Sequence, residues 1–341
     1  MDSNWIHLSA IVATWPKDDF GWSISPGIPG CVRGTRIKVL GVEVRIGAGA
    51  SIGEEVTINE WACICSGASI GGQVCIGAGA KIGVGVSIGA GTSIGERVSI
   101  HTEARIGAEA RIGAGVTIGT GANIRVGASI GEQVIIGPQA DIGERASIGS
   151  QANIGERVSI GALVHIGEHA GIGAGVYVGE RARIRAHASI GAEVDIGEGT
   201  QVGALAHINS RVKIRESVQI GAQVSVGEGT HIYRRAVVGS LTHIGNYCLI
   251  GEEARIDDSS SIGADARIGP RSFGARDIGY ADGYRKCIAC VGDVAHIGAG
   301  CRWFTLNTAL EHWARKPDRV MTMALMESAK AIANLNRWKW G

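Results

Sequence analysis

Residues 76–100 read Ile76-Gly-Ala-Gly-Ala-Lys-Ile82-Gly-Val-Gly-Val-Ser-Ile88-Gly-Ala-Gly-Thr-Ser-Ile94-Gly-Glu-Arg-Val-Ser-Ile100. A large aliphatic returns every sixth residue. From Ile46 to Ile268 that position is Ile throughout, except for Val178, Val202, Val226 and Val238, and nothing is inserted anywhere. A period held this strictly marks a solenoid, and a six-residue period is that of a parallel β-helix.

Let the aliphatic place be i. Position i+1 is mostly Gly, as in Ile46-Gly47 and Ile88-Gly89, which suits a tight corner with unusual backbone angles. Position i+4 is small or β-branched, as in Ala50, Val56, Ala62 and Ala68. Large i and small i+4 therefore point inward, and i+5 points outward. Three hexads make one triangular coil of 18 residues, and counting from Leu40 predicts about thirteen coils. The expected fold class is an all-β solenoid, with residues 40–273 as the β-helix.

Both ends of such a rod expose an open sheet edge and an apolar cross-section. Residues 1–39 read as an irregular N-terminal cap, with Ile6 to Ile11 as one strand and Trp5, Trp15, Phe20 and Trp22 as lids. The period fails at Gly274, and residues 274–341 read as a ββαα module. Its hairpin runs from Arg285 to Gly300 about a Gly292-Asp293 turn. Thr305 caps a first helix with Leu306, Ala309, Leu310 and Trp313 on one face. Asp318 caps a second, through about Leu335, carrying Val320, Ala324, Ala331 and Ile332.

The hexads Ile46-Gly-Ala-Gly-Ala-Ser and Ile94-Gly-Glu-Arg-Val-Ser resemble the hexapeptide-repeat, left-handed parallel β-helix proteins. The left hand is implied by that resemblance, as is a homotrimer of rods packed side by side. The family is best known for acyltransferases using acetyl-CoA or acyl carrier protein, with a His base in a cleft between rods. Two departures separate this chain from those enzymes: no loop interrupts the repeat, and their extended His motifs are absent. The tail, Ile268-Gly-Pro-Arg-Ser-Phe-Gly-Ala-Arg-Asp with Ala299-Gly-Cys-Arg-Trp-Phe-Thr-Leu306 and Leu310-Glu-His-Trp313, resembles a module found behind repeats in phage and prophage proteins.

Composition excludes several functions. With 33 basic and 32 acidic residues, net charge +1, the chain is neither a DNA mimic nor a general polyanion binder. Arg111, Arg183 and Arg255 share a face four coils apart, which is no basic stripe, so nucleic acid is not an expected partner. Outward Thr occurs only at Thr57 and Thr117, far from an ice-binding ladder. The start shows no secretory signal pattern and no run is long enough to span a membrane, so the expectation is a cytoplasmic protein with free thiols.

His207, Ser225 and His243 fall at i+5, 18 residues apart, and stack on one outer face. Under the acyltransferase reading, His207 or His243 is the base and acetyl-CoA the cofactor. His165, His169 and His187 gather near one corner, beside Tyr177. They suit ligand contact, or the three-His zinc site that the resemblance to carbonic anhydrases of this fold implies, although their spacing departs from that pattern. Cys287-x-x-Cys290 with His296 and Cys301 suggests zinc too, but residues three apart on a strand face opposite ways, so no metal is expected. Arg285, Arg302 and Trp303 are the candidate ligand residues of the tail.

The leading expectation is a trimeric, non-enzymatic β-helical scaffold or binding protein, phage or prophage related, without a cofactor. It takes a small molecule or host protein between subunits or on the C-terminal module. The alternatives are a CoA-dependent acyltransferase and a carbonic-anhydrase-like hydratase.

Overall fold

The computed structural model describes residues 6–7, 14–17, 23–24, 36–40, 43–299, 302–316 and 318–341. The chain is a parallel β-solenoid of about 12 turns with three parallel sheets, of the left-handed hexapeptide-repeat type, followed by a small antiparallel sheet and two helices. It divides into two compact units, Met1–Gly175 and Val176–Gly341.

In the first unit each hexad supplies a two-residue rung, the outward i+5 residue followed by the next aliphatic. Ser51–Ile52 and Ser69–Ile70 are such rungs, and they pair in parallel with Ser51 on Ser69 and Ile52 on Ile70. Like thus stacks on like. Ile58, Ile64, Ile76 and Ile82 are completely buried, as are Val56 and Ala62 at i+4. The backbone ladder reaches beyond the rungs into the corners. Ser51 N donates to Ala68 O at 2.8 Å, Gly53 N to Ile70 O at 2.8 Å, and the corner Gln73 N to Glu54 O at 2.7 Å. Polar side chains inside the rod join the same ladder: the buried Thr92 hydroxyl donates to Gly107 O at 3.0 Å.

Glycine at i+1 has a different purpose from the expected one. The left-handed backbone sits at i+3, and ordinary residues occupy it: Glu55 at φ 60°, Trp61 at 62°, Arg97 at 54° and Leu163 at 58°. The i+1 glycines instead lie where the next coil passes. A Cβ on Gly47 would stand 2.5 Å from Ser66 N, and one on Gly143 would stand 2.3 Å from the carbonyl carbon and oxygen of Gly161. It is lack of a side chain, not backbone freedom, that the repeat demands there.

The N-terminal segment pairs with the first rungs. Ile6–His7 runs antiparallel to Arg45–Ile46, and Ser23–Ile24 antiparallel to Arg36–Ile37, so the open edges are partly covered. Trp15 is buried, while Trp5, Phe20 and Trp22 lie outside the described residues, as does most of the expected strand from Ile6 to Ile11. Strand Arg36–Leu40 pairs in parallel with Val56–Asn59, and it is Val39, not Leu40, that lies opposite Ile58. The phase therefore slips by one residue at the start of the rod.

The second unit continues the grammar from rung Tyr177–Val178 to rung Arg267–Ile268. Thr200, Thr230 and Thr242 again donate across coils, to Arg215 O, Gly245 O and Asp257 O at 2.8, 2.9 and 3.1 Å. Beyond the last rung come four antiparallel strands, twice the expected number. They are β1 (Ser272–Ala281), β2 (Tyr284–Val291), β3 (Val294–Ala299) and β4 (Arg302–Thr305), paired in that order. β1 and β2 join through Asp282-Gly283, both at positive φ, 52° and 83°, the geometry of a two-residue type I′ hairpin.

Helix α1 (Leu306–Ala314) is capped by Thr305, whose hydroxyl accepts from Thr308 N at 3.2 Å, and it buries Leu306, Ala309 and Trp313 as expected. Helix α2 (Val320–Leu335) departs from expectation: its N-cap is Arg319, with no side-chain cap bond, so Asp318 does not start it. Its buried face is Thr322, Met326, Ala329 and Ala333. Of the four expected residues Ile332 packs, partly buried, against the module's core, whereas Val320, Ala324 and Ala331 are exposed, each two residues, about 200°, from a buried position.

Two substitutions separate the constraints in the repeat. Gly143→Ala forces a Cβ into backbone and is expected to destabilise by about 1–3 kcal/mol. Leu163→Asn, exposed and at positive φ, is expected to stabilise by roughly 0.5–1 kcal/mol. Urea denaturation of both variants reads the signs; a harmless Gly143→Ala contradicts the close approach.

Candidate functional site

The rod's candidate histidines stand on open surface. His165 and Tyr177 occupy outward rung positions and are exposed. His169 and His187 are corner residues at i+3, with φ 55° and 59°, exposed, the first in one unit and the second in the other. His207 and His243 share a face in the second unit, each paired through Ser225, so they lie two strand spacings, about 10 Å, apart. No group of three or more metal-ligating side chains occurs among the described residues.

His207 has a defined tautomer. Asn209 donates through Nδ2 to Val226 O at 3.0 Å, which leaves its Oδ1 toward His207 Nε2 at 3.2 Å. Nε2 is therefore the protonated nitrogen and Nδ1 carries the lone pair. The outward residues of this sheet in the second unit are Ser189, His207, Ser225, His243 and Ser261, with no carboxylate among them. In the first unit the same sheet presents Arg45, Cys63, Lys81, Ser99, Thr117, Ile135, Asn153 and Gly171. The other two sheets carry charges outward, such as Arg183, Arg255, Asp195 and Lys213.

The tail candidates fall into two roles. Arg285 and Trp303 close the rod. At the last coil, the i+1 glycines Gly263 and Gly269 have no further coil above them; a Cβ on Gly263 would stand 2.1 Å from Arg285 Nε, and one on Gly269 would stand 2.6 Å from the Trp303 indole. Flat side chains thus replace the missing backbone. Arg285 also pairs with Asp277, and its Nε is buried without a hydrogen-bond partner. Trp303 stacks on His296, with ring centroids 5.9 Å apart. Arg285 in addition borders a cavity of about 370 Å³ with Tyr247, Tyr280 and Tyr284.

Arg302 belongs to a second cavity, of about 300 Å³, framed by β2, β4, α1 and the Asp282 turn. Lys286 lines it, 1% exposed, and donates to Ala281 O and to Tyr284 O, the latter at 3.1 Å. Burial pulls its pKa below the usual lysine range. Lys316 lines it too and donates from Nζ to His312 Nε2 at 3.1 Å. His312 is held below the ordinary histidine value by burial, then by Lys316, Arg302 and Arg315. Asp282 is its one carboxylate, and it already accepts from Thr322 and pairs with Arg319 at 3.4 Å.

Cys287 and Cys290 are buried, and burial pushes the Cys287 thiol up to about 12 and raises that of Cys290. Zinc binds the thiolate, and Cys287 instead donates to Arg267 O at 3.3 Å. Cys301 lies outside the described residues.

The hairpin turn Ala281-Asp282-Gly283-Tyr284 was readable, since Asp-Gly between strands signals a type I′ turn. So was the pair His312 and Lys316, four apart across the end of α1. Their convergence with Lys286 and Arg302 was not, because it depends on how α1 lies on the sheet.

No family model matches this chain, and no curated protein does. Solved structures are similar to parts of the chain. UDP-N-acetylglucosamine O-acyltransferase from Moraxella catarrhalis is 22% identical, over 48% of this chain and 65% of that one, with a TM-score of 0.39. Perosamine N-acetyltransferase from Caulobacter crescentus, in complex with CoA and GDP-perosamine, is 20% identical over 37% and 50%, with a TM-score of 0.28. The acetyltransferase domain of PglB from Neisseria gonorrhoeae, in complex with acetyl coenzyme A, is 18% identical over 32% and 52%, with a TM-score of 0.28. The chain thus covers less than two thirds of each. No helix among the described residues is long and apolar enough to cross a membrane.

Acid sensitivity follows from two histidines. Burial, then Lys213 and Arg215, lower the pKa of His231, as burial and its neighbours lower that of His312. Unfolding restores a pKa near 6.5, so the unfolded chain binds more protons below that pH. Stability is expected to be constant above about pH 7 and to fall as pH drops through about 6.5. His231→Gln should flatten that fall in a melting series; an unchanged slope contradicts the assignment.

Proposed function

We propose that this protein is a ligand-binding β-helix that works at its C-terminal module, with the rod as support. The supporting observation is the pair of cavities there, of about 300 and 370 Å³, bordered by Arg302 and Arg285 and separated by Tyr284. Pockets of this size suit a small molecule better than a protein segment. The tail's likeness to phage modules fits a capture role. The outward stretch of the second unit through Ser189, Ser225 and Ser261, which holds no Asp, Glu, Lys or Arg, fits side-by-side packing of rods into a homotrimer. Ser225→Glu is then expected to lower the mass seen by light scattering, and an unchanged mass removes that face from any assembly.

Acyl transfer on the rod is the second reading. The hexapeptide grammar supports it, and so does His207, an exposed imidazole whose Nε2 lies 3.2 Å from Asn209 Oδ1, a contact that would leave Nδ1 of the neutral ring to act as a general base. Small-molecule screening by NMR on the full chain separates the two. The first reading expects ligands that move Tyr284 or Trp313 signals. Acetyl-CoA binding that moves His207 and is lost in His207→Ala contradicts it and supports the second.

A further inference from the structure

The cavity framed by β2, β4, α1 and the Asp282 turn carries a charge imbalance that its own residues leave unresolved. Lys286, Arg302, Lys316 and Arg319 line it, against the single carboxylate Asp282. Asp282 is committed to Thr322 and Arg319. Arg302 and Lys316 meet no carboxylate among the described residues. In a chain of net charge +1, four cations on one 300 Å³ cavity are not the average of the surface.

The cations are also placed rather than scattered. Lys286 is almost wholly buried, and two of its three N–H donors are taken by Ala281 O and Tyr284 O. The ammonium has three donors, so one remains for the cavity it lines. Arg302 enters from the edge strand β4, and Lys316 from just beyond the end of α1. Beside them Phe304 and Trp313 line the same cavity, their rings 5.4 Å apart and edge-to-face. An arginine fork, a point-charge lysine and a spare buried donor are the groups that hold a phosphate, and the ring pair offers an apolar seat for what the phosphate is attached to.

We infer that this cavity binds a phosphate monoester, with the phosphate between Lys286, Arg302 and Lys316 and the organic part against Phe304 and Trp313. The inference rests on the reading of the C-terminal module as the ligand-binding part, and adds the ligand's class. The pKa of His312, lowered first by burial and then by Lys316, Arg302 and Arg315, accords with cations still lacking their anion.

The test is calorimetry and His312 NMR titration on the full chain with three probes: adenosine 5′-monophosphate, adenosine and inorganic phosphate. Adenosine 5′-monophosphate is expected to bind, inorganic phosphate to compete with it, and adenosine to bind at least about tenfold more weakly. Bound phosphate should raise the His312 pKa. Arg302→Glu and Lys316→Glu, both exposed, should each weaken the monophosphate at least about tenfold without lowering the melting temperature. Adenosine binding as tightly as its monophosphate, unaffected by Arg302→Glu, overturns the phosphate inference and leaves the binding reading standing. If neither these probes nor uncharged fragments move His312, Trp313 or Tyr284, both fall.

Discussion

Everything in this protein depends on how closely one coil lies on the next. Where i+1 is glycine, the backbone of the next coil passes 2.2–2.7 Å from where a Cβ would be. At that spacing corner amides as well as rung amides reach the neighbouring coil, as Gln73 N does to Glu54 O. The Ile columns follow from the same stacking, since identical side chains must share identical rotamers to nest. Even the strained corners follow: Arg, Glu, Gln and Leu adopt positive φ at i+3 because the turn is held from both sides.

A rod built on that constraint has no interior place for chemistry. Its core is aliphatic, its buried hydroxyls are spent on cross-coil bonds, and its candidate histidines His165, His169, His187, His207 and His243 are exposed. The regularity must stop somewhere, and the last coil shows how. Where no further backbone arrives, the guanidinium of Arg285 and the indole of Trp303 lie over Gly263 and Gly269. The sheet and helices needed to hold those two side chains in place bring the cavities with them.

The Ile period made the solenoid legible because the 18-residue coil is a whole multiple of the six-residue side-chain period. The purpose of the i+1 glycine was not legible, since a missing Cβ looks identical whether it frees φ or makes room. Thr305 announced α1, for its hydroxyl acts within one turn. The start of α2 was misread by one residue, since Arg319 and not Asp318 is its N-cap, and its buried positions Thr322, Met326, Ala329 and Ala333 mix polar and small side chains that give no clear apolar period. Asp282-Gly283 was readable but lay ahead of the stretch taken for the hairpin. Lys286, Arg302, His312 and Lys316 come from separate elements, and no spacing joins them before the module folds.

The most direct measurement is native mass spectrometry of the full chain purified without added ligand, beside the double variant Arg302→Glu, Lys316→Glu. A retained small molecule of phosphate-bearing mass on the parent chain, and none on the variant, is the predicted result. The same adduct on both proteins, or adducts on neither while acetyl-CoA binds the rod, would contradict a C-terminal module that does the work.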